Sequence, residues 1–234
     1  MPGPPALSCP RLDLREGETV FLTGPNGSGK TTFLKALNAL VEPSAGAIGY
    51  RDGSEALRRD TVYLHQHPYI FSGTVGYNAG FACRAAGIPA AGIRQRSEAA
   101  LELVGLSEYS ARRHRQLSGG EAQRVALARV IASGAKVFLL DEPTASADAE
   151  SARLISGALL SLVRQGKTLV ISTHDPGFLL DFATVRRCRN LGFSRGVLIS
   201  DILPGQDAAR SAPLAPEFPD APQVHGSGAI PEVS

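Results

Sequence analysis

The sequence predicts an α/β fold: a mainly parallel sheet flanked by helices, with a small α-helical subdomain inserted. Three observations predict it. Four short apolar runs, at 19–23, 61–64, 136–140 and 168–172, are nearly continuous rather than alternating, as suits strands covered on both faces of a parallel sheet. Segments of helical periodicity lie between them. Each run is also followed at once by residues with chemistry to offer, so polar groups gather beyond the carboxyl ends of the strands, where doubly wound sheets bind ligands.

The first run enters a glycine loop at Gly24. The segment 32–41 then sets Phe33, Leu34, Leu37, Leu40 and Val41 at helical spacing, and Glu42-Pro43 is expected to stop it. The second run leads to Gln66. Residues 76–115 are rich in Ala, Arg and Glu without a strand signal, and read as the helical insert. Val125, Ala128, Ile131 and Ala132 mark a helix face before the third run, which meets Asp141 and Glu142. Leu154, Ile155, Ala158, Leu159 and Leu162 mark another, ended near Gly166, and the fourth run leads to His174. Residues 1–204 thus read as one domain. Residues 205–234 are dense in Pro, Ala, Gly and Ser. They bury too little apolar surface to offset their ordering entropy and are expected to form a disordered tail.

Composition excludes some classes. A net charge of +2 over 234 residues is too small to argue for a nucleic-acid partner. Cys9, Cys83 and Cys188 are odd in number and far apart, with neither metal-ligand spacing nor a disulfide framework, which points to a reducing cytosol. No stretch approaches the roughly 20 apolar residues of a membrane helix. The start lacks the basic and apolar regions of a signal peptide. The expectation is a soluble protein, with any membrane part on another chain.

Gly24-Pro25-Asn26-Gly27-Ser28-Gly29-Lys30-Thr31 has the spacing G-x-x-x-x-G-K-T between a strand and a helix, the phosphate loop of P-loop NTPases. Small residues let backbone N–H groups converge, and the following helix adds its positive end. Lys30 would reach the outer phosphates, Thr31 would ligate magnesium, and Thr32 follows in the same helix start. The plain alternative is a glycine-rich turn with an exposed lysine. Asp141 ends an apolar strand, where a carboxylate is costly without a partner; a divalent ion bridging phosphates supplies one. Glu142 points differently and is placed to polarise the attacking water. An acidic pair capping the turn before Pro143 is the alternative here. Ser118 and Glu121 have capping-box spacing. Capping does not require Gly119-Gly120, which cost the helix roughly 1 kcal/mol each. Bare glycines at a helix start let an anion approach the N–H groups closely.

With these residues in order, the chain resembles the ATPase subunit of an ABC transporter. Residues 24–31 are similar to that family's Walker A motif, 117–121 to its signature and 137–142 to its Walker B. Gln66 stands in the Q-loop, Asp148 in the D-loop after Ala145-Ser146-Ala147, and His174 in the switch position. The likeness covers roughly residues 12–180. It implies ATP and Mg2+ as ligands, with Thr31, Gln66 and Asp141 around the metal, Glu142 as general base and His174 on the terminal phosphate. It implies a self-associated dimer with ATP between Lys30 of one copy and Ser118, Gly119 and Gly120 of the other, the two sites coupled by Asp148. It further implies transmembrane permease subunits docked on the helical insert, an indirect periplasmic or surface solute-binding protein, and a peripheral place on the cytoplasmic face of the membrane. Separate ATPase subunits are characteristic of bacterial importers. The wording of 62–71 and 141–146 is similar to tungstate- or molybdate-type oxyanion importers.

The chain departs from the family in two places. Only 23 residues precede Gly24, and their sole aromatic is Phe21, inside the strand. The leading strand and its adenine-stacking aromatic are expected to be missing, weakening ATP binding and baring a sheet edge. Arg186-Arg187-Cys188-Arg189 stands where the family continues into a regular last strand. Taken alone, His174 reads as a structural hydrogen-bonding group and Gln66 as a solvated loop residue. Tyr69, Ile70 and Phe71 read either as a surface for a coupling helix or as core. Two other functions stay open: a soluble ABC-type ATPase acting on DNA or ribosomes, and a nucleotide-binding paralogue without turnover.

Overall fold

The computed structural model describes residues 7–202. Their strands are β1 (Thr19–Thr23), β2 (Thr61–Leu64), β3 (Val137–Asp141), β4 (Thr168–Ser172), β5 (Cys188–Ser194) and β6 (Val197–Ile202). They form one sheet in the order β2-β3-β4-β1-β5-β6. The neighbours from β2 to β5 run parallel, and β6 returns antiparallel to β5. The helices are α1 (Lys30–Leu37), α2 (Gly53–Asp60), α3 (Val75–Ala79), α4 (Phe81–Ala85), α5 (Ala90–Leu103), α6 (Gly119–Ala132), α7 (Ala149–Arg164) and α8 (Pro176–Asp181). Short 3-10 turns at Ser107–Tyr109 and His114–Gln116 complete the insert.

The continuous apolar runs are explained by burial on both faces. Phe21, Phe138, Leu140, Leu169 and Ile171 pack with Val125, Leu127, Ile155 and Leu159 of α6 and α7. The alternating residues Val20, Leu22, Leu139 and Val170 pack on the opposite face with Phe33 and Leu34 of α1. Each side chain of this kind contributes roughly 1.5–3 kcal/mol when fully buried.

Several expectations need correction. α1 begins at Lys30 and ends at Leu37, because Asn38 closes the helix and Ala39 turns left-handed, with φ +56°. Leu40 and Val41 therefore lie beyond the helix and are exposed, and Glu42-Pro43 is not its stop. The third strand is shifted one residue, so Asp141 is its last member and pairs with Ser172. The polar helix α2, the short α8 and the strands β5 and β6 have no counterpart in the sequence reading. The insert is helical as expected, through α3, α4 and α5.

Arg186-Arg187-Cys188-Arg189 does not break the sheet. β5 pairs with β1 in regular parallel register from Cys188 onward. Arg189 is buried there, and its charge is matched. Its Nε donates to Asp201 Oδ1 at 2.6 Å, its Nη1 donates to the Asp13 carbonyl at 2.8 Å, and Glu18 stands 3.8 Å away. A buried guanidinium is tolerable only with such partners. The β6 edge is partly covered by the chain ahead of β1. Ser8 N–H donates to the Gly196 carbonyl at 2.6 Å, Leu198 N–H donates to the Ser8 carbonyl at 3.3 Å, and Leu7, Cys9, Leu12 and Leu14 pack on the adjoining core. The expected tail, 205–234, lies outside the described residues. Cys9, Cys83 and Cys188 are all free thiols. Among the described residues no helix is long and apolar enough to cross a membrane.

Candidate nucleotide-binding site

β1 delivers the chain into the glycine loop. Gly24, Gly27 and Gly29 have φ of +136°, +76° and +104°. A Cβ at Gly24 would overlap the Phe193 carbonyl oxygen on β5, so only glycine fits. The β5–β6 turn supports the loop from the same side, where Gly196 N–H donates to the Ser28 carbonyl at 3.1 Å. Lys30, the first residue of α1, is buried, and its ammonium donates to the carbonyls of Gly24 at 2.7 Å and Pro25 at 3.1 Å. It folds over its own loop instead of extending outward. Pro25, Asn26, Gly27 and Thr31 are exposed at the tip, and Thr32 is half-buried. Ser28 Oγ is buried without a hydrogen-bond partner. Leaving such an atom unpaired costs about 1–3 kcal/mol, and a phosphate oxygen fits the need.

Parallel register brings the remaining groups to the same edge. Asp141 and Leu22 both pair with Ser172, and Leu64 pairs with Leu140. Gly24, Gln66, Glu142 and His174 therefore all leave the sheet at one end. Asp141 is buried, and both its oxygens are held: Ser172 Oγ donates to Oδ1 at 2.6 Å and Tyr63 Oη donates to Oδ2 at 2.9 Å. Burial, reinforced by the Asp141 charge and this hydrogen bond, pushes the Tyr63 phenol well above its ordinary pKa. A carboxylate has about four lone-pair positions, so two stay free for a metal or its water. Glu142 takes a left-handed φ of +46°. Its N–H donates to the Ser172 carbonyl at 3.1 Å and to Ser172 Oγ at 3.0 Å. Its Oε2 lies 2.6 Å from His174 Nδ1. Glu142 is buried while His174 is largely exposed. A cavity of about 340 Å³, lined in part by Glu142, Thr144, Thr173 and His174, opens beside them.

Among the described residues no three His, Cys, Asp or Glu side chains gather as a metal site. Thr31, Gln66 and Asp141 supply one carboxylate and two neutral oxygens. That donor set suits magnesium, which commonly keeps one or two carboxylates and takes its other ligands from phosphates and water.

The signature residues pack against the turn into α7, where the atom nearest a Cβ at Gly119 is the Ser146 carbonyl oxygen. Ser118 caps α6: its Oγ accepts from Glu121 N–H at 3.2 Å, and Glu121 Oε2 accepts from Ser118 N–H at 2.7 Å. The Ser118 N–H, assisted by Arg112 at 3.0 Å, holds the Glu121 carboxyl below its ordinary pKa. The two glycines differ. Gly119 is exposed, but Gly120 is buried, and a Cβ there would overlap the Ser151 side chain on α7. Gly120 is therefore required by close helix packing against α7. Asp148 caps α7 by accepting from Ser151 N–H at 2.7 Å, which holds its carboxyl below the usual range. Among the described residues no hydrogen bond joins Ser118, Gly119 or Gly120 to residues 24–31.

Sequence reasoning missed Tyr63 and Ser172. The available signal was a polar side chain near the carboxyl end of each strand beside β3, on the face that carries Asp141. Of the three residues left open, Ile70 joins the core, whereas Tyr69 is 70% exposed. Phe71 stacks on Phe81 at 4.2 Å, beneath the Arg129 guanidinium at 4.5 Å.

The profile of the ABC transporter family matches residues 7–145. This chain belongs to that family. It is 40% identical over 185 residues to the methionine import ATP-binding protein MetN of Caulobacter vibrioides, covering 74% of this chain and 55% of that one. It is 37% identical over 191 residues to the energy-coupling factor transporter ATP-binding protein EcfA of Methanothermobacter thermautotrophicus, covering 77% and 61%. It is 40% identical over 189 residues to the sulfate/thiosulfate import ATP-binding protein CysA of Mesorhizobium japonicum, covering 76% and 55%. The chain thus spans little more than half the length of these ABC transporter proteins. Among solved structures, cbiO1 of Clostridium perfringens, part of the ABC transporter complex cbiONQ, matches with TM-score 0.70 and 29% identity over 84% of this chain and 81% of that one. A dimeric ATP-binding cassette in a post-hydrolysis state, bound to ADP and Pi, matches with TM-score 0.72 and 28% identity over 85% and 90%. This ABC fold is the one the sheet order and helical insert build.

Proposed function

We propose that this chain is the ATP-hydrolysing subunit of a membrane transporter. The observation that carries the reading is Glu142: buried at the sheet edge, one residue past Asp141, with its carboxylate on His174. The glycine loop holds the phosphate chain, with the Ser28 hydroxyl facing its oxygens and the Lys30 ammonium exchanging the Gly24 and Pro25 carbonyls for them. Thr31, Asp141 and Gln66 would hold magnesium, which would offset charge on the phosphates when bound. Glu142 takes a proton from water as the water oxygen attacks the terminal phosphorus and ADP leaves; His174 orients that carboxylate and reaches the terminal phosphate. Preorganised groups of this kind supply most of the barrier reduction in phosphoryl transfer.

Among the described residues no hydrogen bond joins Ser118 or Gly119 to the loop, which supports a site shared by two copies. In a facing dimer the exposed start of α6 from one copy meets the nucleotide held by residues 24–32 of the other, and Asp148 joins the two sites. The dimeric relative bound to ADP and Pi is in keeping with this arrangement. The domain occupies 1–204. Its insert, with the exposed Tyr77 and with Tyr69 exposed just before it, faces permease subunits at the cytoplasmic side of the membrane. The work done is import of a small solute delivered by a binding protein. An oxyanion and methionine are the first cargoes to test, because the sulfate/thiosulfate and methionine import relatives are each 40% identical.

Phosphate release measured beside Glu142→Gln tests the chemistry. Turnover no higher than that variant's would refute the proposal. Co-purification with permease subunits tests the transport assignment, and capture of ribosomes or DNA instead would overturn it.

A further inference from the structure

Three neighbouring strand ends converge on Asp141. β2 and β4 flank β3, and each sends one hydroxyl to the same carboxylate. Ser172 lies directly opposite Asp141 in register, and Tyr63, paired with Leu139, is its diagonal neighbour on the other side. Cross-strand side chains on one face are within reach of each other at both positions. The two hydroxyls divide the carboxylate between them, Tyr63 on Oδ2 and Ser172 on Oδ1. Ser172 does more, because the same Oγ accepts the N–H of Glu142 at 3.0 Å while its carbonyl accepts it at 3.1 Å. That double acceptance holds Glu142 in a left-handed conformation rarely used by residues other than glycine, asparagine or aspartate.

We propose that Tyr63 and Ser172 are positioning residues for magnesium–nucleotide binding: together they fix the plane of the Asp141 carboxylate, and Ser172 also ties the direction of Glu142 to it. This deepens the nucleotide reading above and rests on it. Neither hydroxyl touches substrate. Each leaves one lone pair of its carboxylate oxygen free, so the pair orients Asp141 without occupying it. Both lie on a sheet face that is otherwise apolar around Asp141, with Leu22, Leu139 and Val170 as same-face neighbours. A carboxylate in such surroundings needs donors to stay charged and aimed. Outer partners of metal-binding groups commonly change metal affinity by about 10- to 100-fold when removed.

The test uses the full chain and a nonhydrolysable ATP analogue, with affinity measured calorimetrically in saturating Mg2+ and again in EDTA. The ratio of the two affinities reports the metal contribution, and thermal unfolding without nucleotide reports the fold. Tyr63→Phe, which keeps the ring, is expected to lower the ratio about tenfold and leave the EDTA affinity unchanged. Ser172→Ala is expected to lower the ratio similarly and to slow turnover further at saturating Mg2+, because the Glu142 N–H is then held by the backbone carbonyl alone. The proposal is overturned if folded variants keep the wild-type ratio. It is equally overturned if affinity falls alike with and without Mg2+, or if Tyr63→Phe fails to fold, since the hydroxyl is then structural. Wild-type protein that binds no nucleotide would sink the underlying site reading. Wild-type binding with a strong Mg2+ effect that the variants retain sinks only the assignment of these two hydroxyls.

Discussion

His174 Nδ1 lies 2.6 Å from Glu142 Oε2, so one short contact joins the chain just beyond β4 to the chain just beyond β3. The carboxylate is buried and the imidazole largely exposed. The contact therefore joins an exposed ring to a buried carboxylate. Glu142→Gln removes the charge that accepts a proton while keeping the shape. Phosphate release is expected to fall about 100-fold or more, with an ATP-loaded dimer accumulating on gel filtration. A monomer at saturating ATP counts against the shared site. His174→Ala is expected to slow release less than Glu142→Gln, because the carboxylate survives but loses its guide.

Lys30→Ala is expected to abolish ATP binding in a calorimetric titration. It also leaves the Gly24 and Pro25 carbonyls without the donor they have at 2.7 and 3.1 Å. A loss of about 1 kcal/mol corresponds to a melting point lower by about 2–4 °C in a domain of this size. Full ATP affinity in this variant contradicts the loop assignment.

Gly119 and Gly120 are adjacent but are expected to respond oppositely. At Gly120 a methyl group meets the Ser151 side chain. Gly120→Ala is expected to destabilise the fold by about 1–3 kcal/mol, seen in chemical denaturation of the nucleotide-free protein. At Gly119 the nearest atom to a Cβ is the Ser146 carbonyl oxygen, 3.5 Å away. Gly119→Ala should leave denaturation almost unmoved, its effect falling on ATP-driven dimerisation. Equal denaturation midpoints for the two variants refute the distinction.

Asp60 joins the end of α2 to β3. It accepts from Arg59 at 2.9 Å and pairs with Lys136 at 2.8 Å, and these partners, Arg59 foremost, hold its carboxyl well below the usual range. A depressed folded pKa gives stability that is fully present above the unfolded value, about 3.9, and is lost as pH falls through the folded one. Asp60→Asn is expected to melt lower than wild type by a constant margin from pH 5 to 8. The margin should shrink below about pH 4. A margin that widens with acid overturns the assignment.

Much of this architecture is legible in the sequence, for identifiable reasons. The runs at 19–23, 61–64 and 168–172 match β1, β2 and β4 because strands buried on both faces leave no polar positions to blur the pattern. β5 and β6 escape that logic. Arg189 and Asp201 neutralise each other across the hairpin, and an ion pair inside a strand looks like solvated loop when only one partner is in view. α1 is misjudged at its end because Leu40 and Val41 continue the helical spacing after Ala39 has turned the backbone away. The loop glycines and Asp141 are legible because their chemistry is local. Tyr63 and Ser172 are not, since their role exists only once three strands lie side by side.

Gly24 sits against Phe193, and Ser28 is braced by Gly196. Residues near the beginning of the chain thus take their final shape from residues some 170 positions later. During synthesis, amino-terminal segments leave the ribosome first. A nascent chain arrested before residue 196 has translated every motif named above yet lacks the wall that moulds the first of them. Ribosome-bound fragments of increasing length should therefore gain affinity for nucleotide abruptly, when the final hairpin clears the exit tunnel.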